Sequence, residues 1–269
     1  MTPPDARLDL IRALAQARIP ILCEKPLERD LPRARALVDI CAEAGVPLGV
    51  TLQHRMRPST RLLAERLPEL GRIASVELRV PWWRDQGYYD APGRGTFARD
   101  GGGVLITQGI HAIDLMLHLC GPVTAVQAMV ATTALHRMEA EDFASAGFTF
   151  ASGAVGSLMA SVTHRPGGVE TLVLNGTAGS ARLAGDVLRL DHADGRQEVA
   201  GAEVATGGGA DPMAFDHAWH QAVIAEFADS LRAGRPPAIT GQSALPALAL
   251  IDAIQASART GTRQEVAHV

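Results

Sequence analysis

Apolar residues recur at helical spacing near the N-terminus, at Leu8, Ile11, Leu14 and Ala15. They follow the opening Thr2-Pro3-Pro4-Asp5, where proline is tolerated in a first turn. The apolar run 19–23 predicts a short buried strand ending in Glu24-Lys25-Pro26. A second helix is predicted over 30–44, with Leu31, Ala34, Leu37, Val38 and Cys41 on one face. Gly45 stops it before a strand over 46–51. Helix and strand alternating in this way predict parallel pairing in an α/β layer. Only two strands are supplied, and none precedes the first helix. The layer therefore reads as part of a doubly wound sheet, with apolar surface left exposed at 19–22 and 46–50.

From residue 54 the pattern changes. A helix over 58–67 leads to 73–80, which alternates as a half-exposed strand does. The loop 81–103 then gathers Trp82, Trp83, Tyr88, Tyr89 and Phe97, five of the chain's eleven aromatic residues. Irregular loops of this length are usually functional. The periodic stretch 104–119 predicts one helix closed by Gly121-Pro122. Strand-like runs at 123–131, 143–150, 154–163, 170–175 and 180–183 follow one another without helices, which predicts an antiparallel sheet. A hairpin across Ala193-Asp194-Gly195 closes it, joining 187–190 to 197–199. Gly207-Gly208-Gly209 reads as a flexible connector. Helices over 215–231 and 243–259, separated by Gly234-Arg235-Pro236-Pro237, complete the chain. The organisation expected is α/β over 1–53, then α+β over 54–269.

Composition narrows the class only slightly. The 269 residues are 47% hydrophobic and 20% charged, as in an ordinary globular protein. A net charge of -4 gives no general attraction to nucleic acid, and no apolar run reaches membrane-span length. The N-terminus lacks the features of a secretory signal. Cys23, Cys41 and Cys120 sit in apolar settings, as reduced core thiols of a cytoplasmic protein do.

The candidate chemistry centres on Gly101-Gly102-Gly103 and the helix predicted behind it. Thr107 and His111 are i and i+4, and His111 and Asp114 are i and i+3, so all three can share one face. A histidine near a glycine-lined opening suits proton transfer near neutral pH. Two sets have helical spacing for a metal: His111, Asp114 and His118, or Asp216, His217 and His220. Neither has an identifiable ligand from another element, so no metal is expected.

The ordered motifs Thr2-Pro3-Pro4-Asp5, Glu24-Lys25-Pro26, Gly101-Gly102-Gly103 through His111 to Asp114, and Gly234-Arg235-Pro236-Pro237 span nearly the whole chain. In them the chain resembles the Gfo/Idh/MocA family of NAD(P)-dependent oxidoreductases, which act mostly on sugars, cyclitols and related alcohols. The resemblance implies the C-terminal part of a Rossmann domain over 1–53. A substrate and oligomerisation domain on an open, mostly antiparallel sheet follows over 54–269. It implies that Lys25 lies beside the nicotinamide and substrate hydroxyl and that His111 is the acid/base. Thr2, Pro3, Glu24, Lys25 and Pro26 would then meet NAD or NADP. Tyr89, Gln108, His111 and Asp114 would meet a sugar or polyol, with Tyr88 and Arg94 near them. Where the family often carries Asp or Asn before the histidine, this chain has Thr107, which argues against an Asp–His relay. A homodimer or homotetramer through the sheet is expected.

No Gly-x-Gly-x-x-Gly opens a βα unit here, and roughly 60–80 residues of the family pattern lie before Thr2 at about 30 residues per βαβ step. An N-terminal truncation is therefore expected, with little NAD(P) affinity for these 269 residues alone. Two readings follow. One is a dehydrogenase moving hydride between NAD(P) and a secondary alcohol. The other is a truncated, non-catalytic relative acting as a binding or oligomerisation module.

Overall fold

A computed structural model describes residues 2–202 and 217–269. The predicted connector at Gly207-Gly208-Gly209, and Phe215 and Asp216, lie outside the described residues. The chain opens with α1 (Arg7–Gln16), β1 (Ile21–Cys23), α2 (Leu31–Glu43) and β2 (Leu48–Val50). Asp30 caps α2 by accepting the Arg33 N–H at 2.9 Å. β1 and β2 pair in parallel, Ile21 opposite Leu48, as the alternation predicts.

The chain continues with α3 (Pro58–Arg66), β3 (Ile73–Pro81) and the short α4 (Gln86–Tyr89). The single helix expected over 104–119 is instead a π turn, Leu105–Gly109, followed by α5 (Ile110–Cys120). Strands β4 (Val123–Ala131), β5 (Phe143–Phe150), β6 (Val155–Ser161), β7 (Thr171–Gly176), β8 (Gly179–Ala184), β9 (Val187–His192) and β10 (Gln197–Gly201) come next. Helices α6 (Ala218–Arg232) and α7 (Gly241–Thr260) and the two-residue β11 (Gln264–Glu265) end the chain.

Nine strands form one sheet in the order β10-β9-β8-β7-β3-β6-β5-β4-β11. Every pairing is antiparallel except β3 with β6, where α5, β4 and β5 make the crossover a parallel pair requires. Burial alternates along β3, with Val76, Leu78 and Val80 inside and Glu77 and Arg79 outside. One face of the sheet thus packs under α5 and α7 while the other is open.

The exposed apolar surface expected on the first unit is largely absent. Ile21, Val46, Leu48 and Val50 are buried, and only the lead-in at Ile19, 47% exposed, and Pro20 stays open. Later residues cover it. Val50 donates its N–H to the Ile239 carbonyl at 3.1 Å, and Gly49 bridges Thr240, so the outer edge of β2 is closed. A Cβ on Gly49 would fall 2.7 Å from the ring of Phe227 on α6, which fixes glycine there.

Candidate active site

The carboxyl end of β1, where parallel strands present ligand sites, delivers Glu24-Lys25-Pro26 to a cleft of about 300 Å³. The Lys25–Pro26 peptide is cis. Arg7, in the first turn of α1, ties the segment down. Its guanidinium donates to the carbonyls of Glu24 (2.6 Å), Leu27 (3.2 Å) and Pro26, and to that of Thr2 (3.1 Å). Thr2, Pro3, Glu24 and Pro26, the predicted cofactor contacts, therefore line one cleft with Lys25.

Lys25 Nζ donates to the Thr107 carbonyl at 2.7 Å, which places the ammonium one turn before His111. Burial is the main force lowering its pKa, to about 8; Glu24 opposes the shift, and the charges of Arg7, Arg84 and Arg94 add to it.

The glycine run is shaped by close backbone approach. A Cβ on Gly103 would lie 1.8 Å from the Glu141 carbonyl oxygen. Gly101, at φ 84°, sits against the Arg29 backbone. Glu141, buried before β5, receives the N–H groups of Gly103 (3.2 Å) and Leu105 (3.1 Å) on its carboxylate and that of Val104 (2.8 Å) on its carbonyl. It satisfies the orphan donors at the start of the π turn, as an N-cap would, but from a distant part of the chain.

His111 is buried and stacks on His54, with ring centroids 4.8 Å apart and planes at 28°. Burial first, then the charges of Lys25 and Arg57, hold its pKa well below the ordinary histidine value, so the ring is neutral at pH 7. Its Nδ1 is buried without a hydrogen-bond partner among the described residues. His54 is likewise held neutral, by burial and Arg57. Arg57 Nη2 lies 2.5 Å from His54 Nε2, so Nε2 accepts and the ring proton sits on Nδ1, 3.3 Å from Glu170 Oε1. The ion pair in this group is Arg57 with Glu170, at 2.6 Å. The Arg57 guanidinium also stacks 4.3 Å over Trp219.

His111 and Asp114 keep their i, i+3 spacing within α5, but Thr107 does not share a face with Asp114. Thr107 lines the Lys25 cleft, whereas Asp114 lines a separate cavity of about 340 Å³ with His118 and Val269. The π turn is the reason, because its wider winding changes the rotation between residue 107 and α5. The Asp114 carboxylate is buried and gripped by Arg55, Nε at 2.8 Å and Nη2 at 2.5 Å. Gln108 is buried, and its carbonyl accepts from the Thr107 hydroxyl. Of the paired tyrosines, Tyr88 lines the cleft. Tyr89 is buried beneath it against His136, its hydroxyl pKa raised by burial. His111, Asp114 and His118 do not converge. Among the described residues the grouping close enough for a metal is Glu69, His192 and Glu198, whose carboxylates already meet Arg66 and Arg196.

His54, Arg57, Glu141 and Glu170 are absent from the residues expected at this site. The first two had a usable signal, since Gln53-His54-Arg55 follows directly on a parallel strand. Glu141 and Glu170 join only through tertiary contacts.

Residues 66–182 match the GFO/IDH/MocA C-terminal domain. D-apiose dehydrogenase of Paraburkholderia graminis is 30% identical over 282 residues, covering 98% of this chain and 71% of the relative. Inositol 2-dehydrogenase of Rhizobium meliloti is 28% identical, covering 94% and 75%. Among solved structures, the WlbA dehydrogenase from Bordetella pertussis, in complex with NADH and UDP-GlcNAcA, superposes with a TM-score of 0.83 at 31% identity. That match covers 100% of this chain and 78% of the other. With the fold, the motif order and these relatives in agreement, the chain belongs to the Gfo/Idh/MocA family of NAD(P)-dependent oxidoreductases.

Proposed function

We propose that this chain carries the reacting end of a dehydrogenase that oxidises a secondary alcohol of a sugar, cyclitol or related polyol, with Lys25 and His111 as its catalytic pair. The observation that carries the reading is their pairing. A half-buried ammonium bonds the carbonyl one turn before a buried neutral imidazole whose Nδ1 has no hydrogen-bond partner among the described residues. The relatives are dehydrogenases, so the binding-module alternative is not favoured.

The residues present fit the nicotinamide end of the cofactor. Lys25 spends one donor on Thr107, and Thr2, Pro3, Glu24 and Pro26 line the same cleft. Bound NAD(P) supplies the hydride acceptor. The chain's own residues handle the oxygen. Lys25 donates a hydrogen bond to the reacting hydroxyl and stabilises its alkoxide character. His111 takes the hydroxyl proton on oxidation and returns it on reduction. The Arg57-Glu170 pair fixes the tautomer of His54, whose ring supports the His111 plane. Tyr88 takes the cleft position expected of Tyr89, and Gln108 holds the Thr107 hydroxyl, while Asp114 grips Arg55 at the separate cavity.

The test is reduction of nicotinamide by a panel of polyols. Lys25→Ala and His111→Ala should each lower kcat/KM by at least about 10²-fold, the scale of one general acid–base or electrostatic contact. Unchanged turnover in either variant would remove that residue from the mechanism.

The division at 53/54 remains our reading of the domain boundary. No described helix is long and apolar enough to cross a membrane, and the free thiols Cys23, Cys41 and Cys120 accord with a cytoplasmic protein. The open sheet face, where Gly147 and Ser157 lie in register with Gln127 and Glu77, suits a homodimer or homotetramer.

A further inference from the structure

We propose that the substrate of this cleft is a sugar acid, and that Arg94 is the specificity residue that receives its carboxylate. This deepens the polyol reading above and rests on it.

The cleft has more fixed cations than anions. Arg7, Lys25, Arg94 and Arg99 line it, against the carboxylates of Glu24 and Asp100. That excess stands in a chain whose net charge is -4, so it is local and not a property of the whole surface. Arg7 is almost fully buried, and its bonds go to backbone carbonyls, which leave its charge unneutralised. Lys25 likewise bonds a carbonyl. One of the two carboxylates is partly spent: Asp100 Oδ2 accepts the Gly95 N–H at 2.9 Å, and its Oδ1 lies 3.8 Å from Arg99.

Arg94 is the cation placed to meet a ligand. Its guanidinium carbon sits 4.2 Å over the Tyr88 ring, and Nη1 donates to the Tyr88 hydroxyl at 2.5 Å. Tyr88 is itself seated by the Asp85 cap of α4, which accepts its N–H at 2.9 Å. No carboxylate lies within ion-pair distance of Arg94 among the described residues. An arginine held flat, with one donor used and no counter-ion, presents a planar fork that matches a carboxylate. Lys25 is a point charge suited to the reacting oxygen, so the two cations divide the substrate between them.

The test is calorimetric binding to the intact chain of D-glucuronate, D-glucose and myo-inositol. Glucuronate should bind at least about tenfold more tightly than glucose, a factor worth about 1.4 kcal/mol, and the preference should shrink as salt rises. In Arg94→Gln the ratio should fall to within about twofold, while Arg94→Lys, which keeps charge but not the fork, should retain part of it. Thermal melting of both variants checks that the loop still folds. Equal binding of glucuronate and glucose would overturn the sugar-acid proposal and leave the polyol reading standing. An unchanged preference for glucuronate in Arg94→Gln would overturn the assignment of Arg94 as the carboxylate's partner. Failure of all three sugars to bind would overturn the polyol reading and the proposal with it.

Discussion

Replacing Lys25 by methionine keeps most of its stem and removes the ammonium, which separates catalysis from stability. Burial disfavours the charged side chain, holding its pKa at about 8 in place of 10.5. Between those two pH values the unfolded chain binds the proton and the folded chain does not, so folding gains stability as pH rises from about 8 to about 10.5. Below about 8 the folded state carries the full penalty. Lys25→Met should therefore be inactive yet more stable than the parent at pH 7, by about 1–2 kcal/mol after allowance for partial solvation. The gain should vanish above about pH 10.5. Urea melts of both proteins at pH 7 and pH 10.5 would show it, and equal stability at pH 7 would refute it. The same value sets the rate profile. Because His111 is already neutral at pH 7, alcohol oxidation should fall as pH climbs through about 8 and Lys25 loses its proton. A profile that rises through that range would assign Lys25 the role of base instead.

At the scale of elements, the glycine run and its helix show what a linear pattern can and cannot carry. Lys25 and His111, which we propose as the catalytic pair, each belong to a motif of neighbours in sequence, so a linear reading can single them out. The strands were legible because alternation is local, and all the predicted runs fall on strands, those at 19–23 and 46–51 on the parallel pair and the rest on the nine-stranded sheet. The π turn was not legible, since Leu105-Ile106-Thr107 has the same apolar pattern in either winding. Nor was Glu141, whose role exists only because β5 brings it against Gly103. That contact makes a sharp prediction. Gly103→Ala should cost about 2–4 kcal/mol, since a methyl cannot fit beside the Glu141 carbonyl without moving one backbone or the other. Gly153→Ala, with open space around its Cβ position but φ of 86°, should cost only about 1 kcal/mol. Denaturant midpoints of the pair distinguish contact from backbone strain, and equal losses would sink the close-approach account.

Across the whole molecule, α7 is the tie. It packs on β2 and α2 of the first unit and on α5 and β4 of the second. Arg55, just past β2, reaches Asp114 on α5 and the Ser243 carbonyl on α7 at 2.9 Å. The two units are thereby clamped through buried charge, and losing one partner of such a pair typically costs about 3–5 kcal/mol. A single calorimetric unfolding transition is expected, and Asp114→Asn should lower its midpoint without splitting it. Two resolved transitions in the parent would show that the units fold independently. The open sheet face makes a second demand at this scale. On the proposal that this face joins subunits, Ser157→Arg, which puts a bulky charge among Gly147, Glu77 and Gln127, should leave the protein a monomer in light scattering where the parent is larger. A parent that is already monomeric at all concentrations would remove that interface.

The π turn also bears on how chains of this kind can diverge. One residue rotates a helix by about 100°, and the distance from the Glu141-anchored glycines to His111 includes a single extra residue wound into Leu105–Gly109. A deletion there would swing His111 away from His54 and from the carbonyl that holds Lys25, even if every side chain were kept. Between Gly103 and His111, side chains can drift while the number of residues stays fixed, and an alignment that opens a gap in that interval marks a chain with a rebuilt site.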